Sequence, residues 1–354
     1  MKAGNVTLVC NVKNTFVTKD VALLKTMGYK VRLIHSPPYR DPIRFVFNRI
    51  REMFLGFYYA LFSDAFFSWF NDYHTSIPLF WANLFGKPTT IIVGGFDAIS
   101  SPALGYGIFF KKNLRQLLAR LNYNSCDNIW VVHKSLKYGC PTAKEESGTH
   151  SGILNFMPQL NTPIFEVPTA YDASFWRPEG DKESKNVITV ANISDTRTFE
   201  RKGIPLLIEI AKALPDVQFT IAGVQTLTEL KSKVPTNIQL LGTQSREELK
   251  GLYGKHMYYF QGSKAEGLPN VLCEAMLCEC IPLGSAIFGI PDTIGASGLV
   301  FHKEDALSLL TEILTGKKKF NGANARKRIQ ELYSIERRKK AFLGILKTSK
   351  NESN

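Results

Sequence analysis

KAEGLPNVLCEAMLCECIPLG, residues 264–284, decides how the rest of the chain is read. It places two carboxylates, Glu266 and Glu274, around a Gly-Leu-Pro-Asn turn, with an apolar helix-like run directly behind. A buried helix has no use for the first of those charges, so another demand must place it. The strand-like run MYYFQ (257–261) comes just before, which puts Glu266 in a loop at the strand's carboxyl end and Glu274 about one turn into a helix starting near Asn270. A helix start presents unpaired backbone N–H groups and the positive end of its dipole, which suits a diphosphate; flanking carboxylates suit the hydroxyls of ribose and hexose. The combination fits a nucleotide sugar.

Outward from this stretch, short β-branched runs alternate with helical periodicity. Strands are expected at 5–10, 30–35, 65–70, 89–93 and 128–132, and again at 186–192, 217–223, 237–242, 257–261, 280–284 and 298–301. The helix near 246–254 carries a capping box, Ser245 with Glu248. Residues 168–186, rich in Pro, Gly and charge, read as a linker. The expected class is α/β, two Rossmann-like doubly wound parallel-sheet domains facing a cleft. Residues 1–175 would form the acceptor-binding domain, 176–330 the donor-binding domain, and 331–354 a basic C-terminal helix crossing back to the first.

The chain has 354 residues, 44% hydrophobic and 21% charged, ample for two cores. Its net charge of +13 is concentrated at the end, where 12 Lys or Arg from Lys317 onward face only Glu331, Glu336 and Glu352. A basic balance favours anionic partners, nucleic acid or an anionic lipid surface, with a solvated helix as the plain alternative. The six cysteines are scattered and no charged leader precedes an apolar run, so a reducing cytoplasm is expected, with the protein peripheral on the inner face of the membrane. Cys273, Cys278 and Cys280 crowd one segment, but a helix points them apart and no His stands at ligand spacing, so buried thiols are expected and no metal site.

The 264–284 stretch, with the strand and capped helix leading into it, resembles the retaining glycosyltransferases of family 4, also called group 1, which have the GT-B architecture. Their pattern of Glu, seven residues and Glu is matched by Glu266 and Glu274. The resemblance implies transfer from a nucleotide sugar, UDP- or GDP-linked, to a hydroxyl acceptor with retention of configuration, without a cofactor or an essential metal. It assigns Glu266 to donor sugar hydroxyls and Glu274 to ribose, with Gly267, Leu268, Pro269, Asn270 and Val271 around the diphosphate and Gly223 ending the strand before. In VITVANISDTRTFERKGI, Lys202 stands in the family's Lys-Gly position, while Ala191 and Asn192 occupy the place of its usual Gly-Arg. Arg197 or Arg201 would supply the missing cation.

In the first half, GGFDAIS (94–100) follows a strand, and Gly94 and Gly95 would let backbone approach a ligand with Asp97 beside it; a tight turn capped by Asp97 is the alternative. His74 and His133 are candidates for the cleft wall; His35, His150, His256 and His302 carry no motif. The segment 41–62 opens with Asp41 as cap and Pro42, then repeats apolar residues at 43, 46, 47, 50, 54, 57, 58 and 61, with Arg40, Arg44, Arg49 and Arg51 nearby. It reads as a core helix with a charged outer face, or as an interfacial helix touching anionic lipid near a lipid-linked or glycan acceptor.

Three rivals remain in view. A glycoside hydrolase would set two carboxylates across one scissile bond. A nucleotide-sugar epimerase would use the same scaffold without an acceptor. A polyanion-binding protein would use the basic tail, although no nucleic-acid motif is present, and no strand is followed by the glycine fingerprint of a dinucleotide site.

Overall fold

The structure, a computed structural model, describes residues 4–38, 41–225 and 234–351. Arg40 and Glu352, counted above in the charge of their segments, lie outside them. The first sheet contains β1 (Asn5–Cys10), β2 (Lys30–His35), β3 (Ala65–Trp69), β4 (Thr89–Val93), β6 (Asn128–Val131) and β8 (Ile164–Glu166), in the order β2-β1-β3-β4-β6-β8. A two-stranded ribbon of β5 (Ile99–Ser100) and β7 (His150–Ser151) sits beside it. The second sheet contains β9 (Glu183–Ile193), β10 (Gln218–Val224), β11 (Ile238–Leu241), β12 (His256–Gln261), β13 (Ile281–Ser285) and β14 (Leu299–Phe301), in the order β11-β10-β9-β12-β13-β14.

Every pairing in the two large sheets is parallel. The second order is that of a dinucleotide-type domain, with its switch point between β9 and β12; in the first sheet the switch lies between β1 and β3. The strands are nearly continuous apolar runs because helices cover both faces, as in β3, where all five residues are buried. The capping box forms as expected: Glu248 N donates to Ser245 Oγ at 3.2 Å and Ser245 N to Glu248 Oε2 at 2.7 Å.

Four helices matter in the first domain: α1 (Thr15–Thr26), α2 (Pro42–Phe62), α3 (Tyr73–Leu84) and α4 (Leu114–Ser125). Helix α2 overturns its core-helix reading. Its buried residues are Asn48, Glu52, Gly56 and Ala60, spaced by four, while Ile43, Phe47 and Phe54 are 80%, 69% and 70% exposed. The inversion has a steric and a polar cause. A Cβ on Gly56 would stand 2.9 Å from the Trp81 ring, so the small face lets α2 press against α3. Glu52 accepts from Arg49 at 2.6 Å, and Arg49 also donates to Ser36 at 2.8 Å, which pins the polar face inward. No helix among the described residues is long and apolar enough to cross a membrane.

The residues between the domains are packed down. Trp176 is fully buried, and Arg326 donates to the carbonyls of Trp176 at 2.7 Å and Ala173 at 2.8 Å. The C-terminal helix, Ile335–Asn351, then returns to the first sheet. There Arg338, fully buried, grips Asp20 of α1 through two parallel contacts at 3.0 and 2.6 Å, and the Trp69 indole donates to the same carboxylate at 2.8 Å. Phe342 meets Phe67 at 5.0 Å and Trp130 at 5.3 Å.

Because side chains alternate along a strand, Phe67 and its neighbour Phe66 face opposite ways; Phe66 clusters with Ala60 of α2 and Ala82 of α3. The basic C-terminal helix and α2 therefore lie on opposite faces of one sheet. The two segments for which an anionic membrane surface is considered, 41–62 and the basic tail, thus do not share one face of the first domain.

Breaking one partner of a buried, hydrogen-bonded pair leaves an uncompensated charge, which costs about 3–5 kcal/mol. Arg338→Met should lower the unfolding free energy by about that amount in guanidinium melts, and adding Asp20→Asn should recover part of the loss.

Candidate functional site

The carboxyl ends of both sheets face each other across a cavity of about 600 Å³. From the first domain come Asn14, Thr15 and Phe16 after β1, Phe70 after β3 and Gly94 after β4; from the second, Asn192 near the end of β9, Gly223 on β10, and Glu266 with Leu268 to Val271 after β12. The two switch points thus meet. Phe70 holds a left-handed backbone (φ 65°), a strained state for a bulky residue that clusters at functional sites.

The loop after β9 carries the cations. Lys202 ends the short helix Thr196–Arg201, and Gly203 behind it takes φ 71° with its Cα so close to the next loop that a Cβ would lie 1.8 Å from the Gly262 carbonyl oxygen. That contact explains the Lys-Gly pair: glycine lets the lysine loop lie on the loop leading to Glu266. Lys202 forms an ion pair with Glu266, and Arg201 stands 3.7 Å from the same carboxylate while donating to Ala265 O at 3.1 Å. Burial pushes the Lys202 ammonium down, opposed by Glu266. Burial pushes Glu266 up, but Lys202 and Arg201 outweigh it and hold the carboxyl below its usual range. Arg201 lines the cavity beside Glu266, whereas Arg197 is exposed, paired with Asp195 at 3.3 Å and absent from the cavity wall.

The helix Asn270–Leu277 begins at the cavity, with Pro269 as its first flanking residue and no side-chain cap on its N–H groups. Asn270 is oriented by Tyr171, whose hydroxyl donates to Asn270 Oδ1 at 2.8 Å. Glu274 is placed differently from Glu266. It is 3% exposed, does not line the cavity, and pairs with Lys19 of α1 at 3.0 Å; Lys19 also lies over the Tyr171 ring at 4.1 Å.

Asp97 is also absent from the wall. It is fully buried and accepts backbone N–H bonds from Asn71 at 3.1 Å, Gly94 at 3.2 Å and Gly95 at 3.1 Å. Burial pushes its carboxyl up to about 7 against those donors. Asp97 therefore shapes the turn from behind the cavity wall, the alternative reading of that motif. The turn it shapes meets the second domain: a Cβ on Gly267 would lie 2.3 Å from the Gly94 carbonyl oxygen.

Neither histidine candidate lines the cavity. His74 is buried, with Nε2 2.9 Å from the Trp69 carbonyl, and burial lowers its pKa to about 4. His133 reaches across to Asp292 of the other domain at 2.9 Å, where Lys134 joins at 2.8 Å. Sequence reasoning missed Lys19, Tyr106, Tyr171 and Gln225. Only a rule that ligands sit beyond strand ends could have pointed to the segment after β1, and nothing local marks Tyr171 or Lys19.

Residues 174–331 match the family described as glycosyl transferases group 1. A phosphatidylinositol N-acetylglucosaminyltransferase polypeptide of Arabidopsis thaliana is 22% identical over 206 residues, 54% of this chain and 44% of that protein. The GPI3 subunit of the Saccharomyces cerevisiae enzyme is 25% identical over 211 residues, 54% of this chain and 46% of that protein. The matched segment thus spans less than half the length of these relatives. Among solved structures, sucrose-phosphate synthase from Thermosynechococcus elongatus superposes with a TM-score of 0.74 at 13% identity, covering 99% of this chain and 100% of that one. HepE from Anabaena, in complex with UDP-glucose, gives 0.68 at 13% identity, covering 97% and 99%. The fold is that of the two-domain GT-B glycosyltransferases, and the second domain is the part that matches group 1.

Removing the Asp97 carboxylate would strand buried N–H groups, each costing about 1–3 kcal/mol. Asp97→Ala should therefore destabilise the fold by several kcal/mol, with the faster hydrogen exchange concentrated at residues 71 and 94–95.

Proposed function

We propose that the chain transfers a sugar from a UDP-sugar donor to a hydroxyl of a lipid-linked acceptor with retention of anomeric configuration. The observation that carries this reading is the charge of the cavity. Among the described residues lining it, Glu266 is the one carboxylate, and Lys202 and Arg201 stand beside it facing an uncapped helix start. As the bond from the anomeric carbon to the phosphate oxygen breaks, negative charge grows on the diphosphate. Lys202, Arg201 and the first N–H groups of Asn270–Leu277 take up that charge, so no metal is called for in this reading.

Once the diphosphate draws Lys202, Glu266 is free to accept from the donor's hydroxyls. Glu274 is one buried turn deeper in the same helix, and it reaches the ribose when Lys19 releases it. Gly223, Gln225, Thr243 and Gln244 border the part of the cavity left for the base. With one carboxylate in the cavity, the two-carboxylate geometry of a glycoside hydrolase has no support, nor does a covalent sugar intermediate on a second acid. Retention then comes from attack on the face that the diphosphate leaves, with the departing phosphate oxygen taking the acceptor's proton. Similarity to phosphatidylinositol N-acetylglucosaminyltransferases supports a lipid-linked acceptor, and neighbours solved with UDP or UDP-glucose support the donor.

A UDP-sugar at about a hundredfold over its Kd should raise the unfolding free energy by about 2.7 kcal/mol, with GDP- and ADP-sugars giving less. Lys202→Ala should cut turnover on the order of 10²- to 10³-fold, as loss of one charge-stabilising group does, while the melting temperature falls less than for Arg338→Met because Arg201 stays beside Glu266. Calorimetry showing the same donor affinity in Glu274→Ala as in the parent would remove Glu274 from the site, and unchanged turnover in Lys202→Ala would defeat the proposal.

A further inference from the structure

The outward faces of α2, α3 and α4 form one uncovered apolar surface. Ile43, Phe47 and Phe54 of α2, Phe80 and Leu84 of α3, and Leu114 of α4 are each more than half exposed. The surface is continuous across α2 and α3, because Trp81 meets Phe57 of α2 edge-on at 5.1 Å and Phe80 at 5.2 Å. The far end of α3 is tied to α4 through Asn83, which donates to the Ser125 carbonyl at 2.8 Å. Monomeric soluble proteins rarely expose apolar patches of this kind without a partner.

Charge says which partner. Between residues 41 and 127 the sequence has six carboxylates; Glu52, Asp64, Asp72 and Asp97 are not exposed, while Asp41 and Asp127 are, Asp41 accepting from Arg44 N as the cap of α2 and Asp127 from Thr89 N at 2.8 Å. Glu52 faces Arg49, Asp72 faces Arg115, Asp97 holds its turn, and Asp64 accepts from Asn5 N at 2.7 Å. Arg44, Arg51, Lys111 and Lys112, in contrast, are exposed on α2 and just ahead of α4. A second copy seated on this face would set these four cations against their own kind, with only Asp41, already committed to the α2 cap, and Asp127, held by Thr89, as exposed acids in residues 41–127. A protein partner normally meets polar groups within the contact, at roughly one hydrogen bond per 100–200 Å², and the apolar faces of α2 and α3 offer few.

We infer that this three-helix face docks on an anionic lipid leaflet, with α2 lying in the interfacial plane. Its apolar stripe enters the acyl boundary and the four cations stay at the headgroups. At 1.5 Å per residue, α2 covers about 30 Å of membrane surface. It starts just beyond the carboxyl end of β2, the side of the sheet that faces the cavity, so docking brings the cavity's first-domain wall close to the headgroups. A lipid-linked hydroxyl would then reach the cavity without leaving the membrane. That last step alone rests on the proposed transfer; the docking does not.

Co-sedimentation of the full chain with phosphatidylcholine vesicles, with and without phosphatidylserine, tests the docking without any donor. Partition should be strongest with phosphatidylserine and should weaken as salt rises. Phe47→Ser with Phe54→Ser should lower it on the order of tenfold or more, with melting temperature and UDP-sugar binding kept. Phe54→Trp should place a fluorophore that brominated lipid quenches. Equal partition of the Phe47→Ser and Phe54→Ser double variant and the parent, or no partition of the parent into either vesicle, would overturn the inference. So would a stable dimer in light scattering that this double variant dissolves, because it would give the face to a second copy. Loss of sugar transfer with vesicle binding intact would count against the proposed activity alone.

Discussion

The buried grip of Arg338 on Asp20 is the constraint on which the rest depends. Two independent α/β domains have no inherent reason to keep their strand ends opposed, and a cavity built half from each exists only while they do. The C-terminal helix solves this by leaving the second domain and burying a guanidinium, against Asp20 and three aromatic rings, in the first. A charge so placed is costly unless every donor is met; the bidentate carboxylate and the carbonyl of Val167 at 2.9 Å meet them. The geometry is thus fixed by a contact that tolerates little displacement. Further contacts between the domains, Lys19 with Glu274 and His133 with Asp292, work within the frame it sets.

Within that frame the cavity is a small electrostatic balance. Lys202, Arg201 and an uncapped helix start outnumber one carboxylate, so Glu266 holds the site together and leaves it with positive charge to spare. An anionic ligand replaces an internal ion pair with an external one, so the lysine need not be carried unpaired in either state. The Lys19 contact to Glu274 has the same character across the domains, and joins the state of the helix Asn270–Leu277 to α1.

The first domain adds an orientation to this chemistry. One face of its sheet is closed by α1 and the C-terminal helix, where Phe67 meets Phe342. The other is covered by α2 and α3; the buried residues of α2 are small or polar, and most of its large apolar residues stand outside. Part of the chain's 12% aromatic content lies on this outer surface, as Phe47, Phe54 and Phe80 do. Half of the twelve basic residues from Lys317 onward belong to the C-terminal helix on the opposite side, the other half precede it in the second domain, and Arg338 among them is a structural group.

Local sequence determined a great deal here, since strand and helix signals depend on periodicity and capping that act over a few residues. The eleven strands expected from β-branched runs fall within a few residues of observed ones, the capping box at Ser245 forms, and Asp41 caps α2. The short β8, β5 and β7 went unseen because two or three residues carry no period. The Glu266 and Lys202 pairing was foreshadowed by motif, as both sit in loops at strand ends. Sequence alone left open whether the stripe of α2 faces in or out, because periodicity reports that a helix has two faces and says nothing of which one finds a neighbour. Gly56 against Trp81 and the Glu52 to Arg49 pair decided it. Likewise Asp97, Glu274 and Arg338 each carry a charge whose role depends on groups distant in the chain, 318 residues away for Asp20 and Arg338. Tertiary packing chose their partners, since the balance between desolvation and a paired charge is set only once those partners are in place.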